Sequence, residues 1–142
     1  MAGAARKPDD NALLHAHAAI LKAREAFLAV AEKDIERLAA AARALSDDTA
    51  DAGAGLREIG EIAREIRDFG TPHGFPLLST FGASLQKFVA DGRPVDAVRR
   101  AIVAHHVAAM RNVVRDRIDG NGGGMGTDLT QGLRAVVAKF SR

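Results

Sequence analysis

IGEIAREIRDFGTPHGFPL, residues 59–77, predicts two helices joined by a short turn. Apolar residues in its first part recur at three- and four-residue steps and therefore share one side of a helix: Ile59, Ile62, Ile66 and Phe69. A breaker cluster at 70–74 ends that helix. Pro76 suits the first turn of the next helix, where its missing N–H costs nothing.

Charged residues occupy the opposite side of the first of these two helices. They are Arg57, Glu61, Arg64, Arg67 and Asp68. At roughly 100° per residue, Arg64 lies about 160° from Ile66, so we expect it to face solvent from mid-helix. The pairs Arg57/Glu61 and Arg64/Asp68 have i,i+4 spacing, which could simply stabilise an exposed helix by ~0.2–0.5 kcal/mol per pair.

Length and composition limit the class of protein. The chain has 142 residues, enough for one hydrophobic core, and it has no Cys, which excludes disulfides and thiolate metal sites. Its net charge is +2 with acids and bases interspersed, a pattern that argues against nucleic-acid binding. No apolar run suits a membrane span or a signal peptide, so we expect a soluble cytoplasmic protein.

Hydrophobic periodicity predicts helices throughout and no strands. We expect a flexible arm at 1–8 and one domain at 9–142: an all-α, antiparallel up-and-down four-helix bundle with a short additional C-terminal helix. The first helix fits either one continuous element or two with a break at 23–25. Pro94 is expected to start the fourth helix. The glycine-rich stretch 119–126 is expected to be a turn, with Thr127 or Asp128 capping the last helix. The predicted main helices span 9–45, 50–69, 75–90 and 95–118.

Five histidines are the remaining candidates for chemistry: His15, His17, His73, His105 and His106. No two of them have the three- or four-residue spacing that chelation from one helix face requires, so no metal or cofactor is expected. His106 falls within an apolar arc, which predicts a hydrogen-bonded core histidine. His105 lies at the edge of that arc, and His73 lies in the turn, where it can hydrogen-bond backbone.

Three segments resemble the histidine phosphotransfer (HPt) domains of bacterial multistep phosphorelays, in a form met in alphaproteobacteria. They are AREIRDFGTPHGFPL at 63–77, HVAAMRNV at 106–113 and RIDGNGG at 117–123. The resemblance covers the chain from about Ala23 onward. In that family an exposed histidine accepts a phosphoryl group from a receiver-domain aspartate and passes it on, because a neutral imidazole nitrogen can act as a nucleophile.

This chain departs from the family at the reacting position. Arg64 stands where the family has histidine, Arg67 where it has lysine, and Asp68 where it has glycine. A guanidinium stays protonated and has no lone pair for attack. The resemblance therefore implies a non-catalytic adaptor or competitor that docks a response-regulator receiver domain or a histidine kinase, through a face formed by Gly60, Glu61, Arg64, Arg67 and Asp68.

Two other interpretations remain open from the sequence. One is an active phosphotransfer protein that uses His73 or His105. The other is a helical interaction module unrelated to phosphorelays, for example a homodimer through the Ala-rich first helix.

Overall fold

The computed structural model describes residues 9–45, 52–91, 93–120 and 123–140. These ranges contain five α-helices, a 3₁₀ turn at Thr71–His73 and no strand, which confirms the all-α prediction. The predicted arm at 1–8 lies outside the described residues, as do residues 46–49 between the first two predicted helices. The helices are α1 (Asp10–Ala44), α2 (Ala52–Gly70), α3 (Pro76–Val89), α4 (Ala97–Arg115) and α5 (Gly123–Phe140).

Helix α1 is continuous over 35 residues, without a break at 23–25. The Asp9 side chain caps it by accepting a hydrogen bond from the Asn11 amide. Its C-terminal half is buried in the core, beginning at Leu28. Residues 10–23 are all exposed, so the apolar residues there are not core residues, although their spacing predicts an inward face.

Two helices, α4 and α5, begin clearly away from the predicted position. Helix α4 begins at Ala97 rather than at Pro94, because the Asp96 carboxylate accepts a hydrogen bond from the Arg99 amide at 2.7 Å. Helix α5 begins at Gly123, ahead of the predicted caps at 127–128. The chain reverses earlier than expected, since Arg117 and Gly120 adopt positive φ angles of 48° and 55°.

The helices enclose one core. Helices α2 and α3 make the most extensive contact, α1 packs against α2 and α4, and α4 packs against α3 and α5. Helix α5 contributes Leu133, which is buried. The largest fully buried apolar side chains are Ile35, Leu38, Ile59, Ile62, Leu78, Phe81, Leu85, Ile102, Val103, Met110 and Val113.

Within the described ranges, none of the helices is both long and apolar enough to cross a lipid bilayer.

Candidate functional site

The outer face of α2 carries the charged residues that the sequence predicts there. Arg64, Glu61 and Asp68 are exposed, whereas Ile62 and Ile66 on the opposite side are buried. Gly60 is half-buried at the margin of this face, close to Val89 of α3. The helical period alone therefore predicts correctly that Glu61, Arg64 and Asp68 are exposed.

Helix α3 supports this face from behind through Gly82. A β-carbon at Gly82 would lie 2.6 Å from the Ala63 carbonyl oxygen and 2.8 Å from the Arg67 amide nitrogen. Both atoms belong to the backbone of α2 on either side of Arg64, and neither can move away without moving the helix. A glycine here lets the backbones of α2 and α3 approach closely, and this contact fixes the position of the helical turn that carries Arg64.

Ser79 of α3 holds the end of α2. Its hydroxyl donates to the Arg67 carbonyl oxygen and accepts from the Thr71 amide, both at 2.7 Å. One hydroxyl thereby satisfies a carbonyl in the last turn of α2 and an amide of the following 3₁₀ turn. The segment that bears the charged face is thus anchored at its C-terminal end.

Arg67 is held in place, and it pairs with Asp68, for which the sequence suggests Arg64 as the partner. Its guanidinium donates to the Gln86 side-chain oxygen on α3 and to the Asp68 carboxylate, the latter at 2.9 Å. Asp68 therefore pairs with its neighbour in sequence and not with Arg64, four residues before it. The bond to Gln86 holds the Arg67 guanidinium on the α3 side of α2.

Arg64 extends from this face without a polar partner among the residues that the structure describes. Glu65 next to it approaches Arg37 of α1 at 3.9 Å. The guanidinium of Arg64 thus keeps its hydrogen-bond donors available for an external group with acceptor oxygens, such as a carboxylate or a phosphate.

His73 is half-buried and engaged within the structure. Its Nδ1–H donates to the Phe69 carbonyl oxygen at 2.7 Å, which fits the backbone role that the sequence suggests. Its ring stacks on Phe27 of α1, with centroids 4.4 Å apart and planes 5° apart. These contacts fasten the turn to α1 and fix the orientation of the imidazole.

His105 and His106 are adjacent in the sequence but occupy opposite environments. His105 is exposed on α4, a helix that does not pack against α2. His106 is fully buried: its Nδ1–H donates to the Ile102 carbonyl at 2.8 Å, and its Nε2 accepts from the Ser84 hydroxyl at 2.9 Å. Burial, with a smaller contribution from the charge of His105, lowers the pKa of His106 to about 4 against the opposing Ile102 hydrogen bond. His106 is the core histidine that its position predicts.

An apolar groove beside the charged face was not predicted from the sequence. It lies between α1 and α2, has a volume of about 430 Å³, and is bordered by Phe27, Val30, Ile66, Phe69 and His73. Phe69 is 55% exposed and so does not join the three isoleucines in the core. At 100° per residue it lies at the edge of the apolar arc, where burial depends on how far the neighbouring helix α1 reaches.

Metal binding has no candidate in the described part of the chain. None of the clusters of His, Asp or Glu there contains the three or more groups that could hold an ion.

No protein-family model, no curated protein and no solved structure matches this chain. The likeness to HPt domains therefore depends on the three sequence segments at 63–77, 106–113 and 117–123.

Proposed function

We propose that this chain is an HPt-like signalling protein that docks a receiver domain through the outer face of α2 and does not relay phosphate there. The observation that carries the proposal is that Arg64 is exposed and lacks a polar partner in the described structure. The sequence resemblance assigns Arg64 to the phosphohistidine position of HPt domains. The adaptor would occupy a receiver and exclude the phosphotransfer protein or histidine kinase that competes for it.

The fold assigned in this proposal is the antiparallel up-and-down four-helix bundle of HPt domains, with α5 as an addition. Contacts run from α1 to α2, from α2 to α3, from α3 to α4 and from α4 back to α1. Such a closed ring is what a four-helix bundle with short connections requires. The connection between α2 and α3 is short, from Thr71 to Phe75.

Charge and access support receiver docking. Receiver domains gather acidic side chains around their phosphoacceptor aspartate, so a guanidinium with no described partner on a convex helix is complementary to that site. Arg64 has no nucleophilic lone pair, hence it can bind the acidic site without accepting its phosphoryl group. The apolar groove with Phe69 lies on the α1 side of the same helix and would add contact area with a partner.

The test combines a binding and a transfer measurement on the full chain. Receiver domains from the source organism are purified, labelled with radioactive acetyl phosphate, and mixed with this chain. We expect at least one receiver to bind, no acid-labile label to reach this chain, and Arg64→Ala to weaken binding roughly tenfold. Arg134→Ala is the matched control, because Arg134 is an exposed arginine on α5 with no polar partner among the described residues.

The same measurement addresses the second candidate function, phosphotransfer by another histidine. His105 is the stronger alternative because it is exposed, whereas His73 is stacked and hydrogen-bonded. If label appears on this chain and is lost in His105→Ala, the chain is an active phosphotransfer protein and the adaptor proposal is wrong. Binding to none of the receivers, or equal weakening by both arginine variants, would also overturn it.

A further inference from the structure

The N-terminal half of α1 presents an apolar surface on which no other described part of the chain packs. Leu13, Leu14, Ile20 and Leu21 are 53%, 66%, 58% and 45% exposed. Helix α1 has 35 residues, whereas α2 and α4, which flank it, have 19 each. The additional length extends past the rest of the described protein as a free helix.

This exposed surface continues the face that α1 buries further along. At 100° per residue, the four apolar residues fall within roughly 60° of His17, on the same side as Leu28 and Ile35 of the core. Leu14, Leu21, Leu28 and Ile35 form a seven-residue repeat. Such a repeat favours helix-to-helix packing, and in the first two repeats none of the described helices supplies the partner.

Polar residues along the middle of this face are complementary in charge to the same residues of a second copy of the helix. Asp10, His17 and Arg24 are spaced by seven residues, with an acid at one end and a base at the other. Two copies aligned in parallel would place like charges together. In an antiparallel pair, Asp10 of each copy meets Arg24 of the other, and the two His17 side chains meet at the twofold axis.

The length of the free segment fits the same arrangement. Residues 10–23 precede Arg24, which contacts the rest of the protein by donating to Asp119 at 3.0 Å and by lying over the Phe75 ring. The segment is roughly 21 Å long, and His17 is near its midpoint. An antiparallel pair centred on His17 can therefore overlap fully, with the two folded bodies at opposite ends.

We propose that the chain forms a homodimer through an antiparallel pair of α1 helices over residues 10–24. Leu14 of one copy packs on Leu21 of the other, and Leu13 packs on Ile20. Arg24 keeps Asp119 and accepts Asp10 of the second copy as a further partner, since a guanidinium carries five donors. Residues 1–8 are an unsuitable cover for this surface, because Met1 is their only large apolar side chain. The inference is independent of receiver docking.

The first test is the molecular mass of the full chain by analytical ultracentrifugation over a concentration series. We expect a dimer, and at least about a tenfold weaker dimer in the double variant Leu14→Glu, Leu21→Glu. The matched control is Ala12→Glu, Ala19→Glu, which adds the same charge at the same spacing. Both alanines are exposed and lie about 140–160° from His17 around the helix. Helix content by circular dichroism verifies that each variant is folded.

The second test reports the helix orientation with milder substitutions. The chain has no Cys, so introduced thiols are unique. Leu14→Cys mixed with Leu21→Cys should form a disulfide between the two variants under mild oxidation, and neither variant should cross-link efficiently with itself. A monomer at every concentration up to about 100 µM would overturn the proposal. So would equal effects of the leucine and alanine pairs, or self-cross-linking of Leu14→Cys at the efficiency of the mixture.

Discussion

Helix α3 and the outer face of α2 are neighbours held by different kinds of interaction. Helix α3 touches α2 backbone-to-backbone at Gly82, and its Ser84 bonds the buried His106 of α4. The outer face of α2 consists of charged side chains in water, of which Arg67 is tied to α3, whereas Arg64 has no bond to any described residue.

The difference shows which parts of the molecule determine the fold. Close backbone contact and buried hydrogen bonds permit few side chains, since any replacement must fit the same space and satisfy the same polar atoms. An exposed mid-helix position tolerates most residues. The side chain at position 64 can therefore vary without changing the helices that support it.

A fall in pH should have the largest effect on the unfolding free energy. It acts through His106 of α4, which is bonded to Ser84 of α3. The pKa of His106 is about 4 in the folded protein and near 6.5 when unfolded, so the unfolded state takes up a proton first as the pH falls. The stability from the neutral imidazole is complete above pH 6.5 and declines down to pH 4, by roughly 3 kcal/mol in total. Urea unfolding at several pH values measures it.

His106→Gln is the variant that isolates this effect, and His105→Gln is its control because His105 is exposed. The difference in unfolding free energy between wild type and His106→Gln should shrink by roughly 3 kcal/mol between about pH 7 and pH 4. A difference that does not depend on pH would mean that His106 titrates alike in both states.

Gly82→Ala should have the next largest effect. The added methyl group meets two backbone atoms of α2 at 2.6 and 2.8 Å, so the helices must separate, and we expect the unfolding free energy to fall by about 2 kcal/mol. The matched control is Gly132→Ala in α5, where a β-carbon has no neighbour within 4 Å. That change should stabilise the protein by about 0.5–1 kcal/mol through helix propensity, and urea unfolding compares the two. If both substitutions changed the unfolding free energy in the same direction, the close backbone contact at Gly82 would be contradicted.

The α2–turn–α3 segment could be predicted from the sequence for a clear physical reason. Periodicity fixes which side of a helix is buried, and Gly74 and Pro76 mark the turn. The exposure of Arg64 follows from the same rule, because it lies opposite Ile66. The burial of His106 among apolar neighbours was predictable in the same way.

Features that depend on neighbouring elements could not be predicted in this way. The bond between Arg67 and Gln86 depends on the fold, which brings Gln86 from α3 to the side of α2. Whether Phe69 is buried depends on how far α1 reaches across the edge of α2. The first half of α1 has the same periodicity as its buried half, and periodicity gives no information on whether a partner helix is present. The helix lengths did indicate that part of α1 lacks a partner, since α1 has 35 residues and α2 has 19.

Arg64→His should have the smallest effect on stability and is the sharpest test of the difference between the two regions. Arg64 is exposed and bonds to no described residue, so its replacement should change the unfolding free energy by less than about 0.5 kcal/mol. The control is Arg67→His, which loses the bonds to Gln86 and Asp68 and should cost about 1 kcal/mol. If Arg64→His cost as much as Arg67→His, the fold itself would require the arginine. A small cost instead means that the fold accepts either side chain at this position, and that arginine rather than histidine there is a difference in surface chemistry alone.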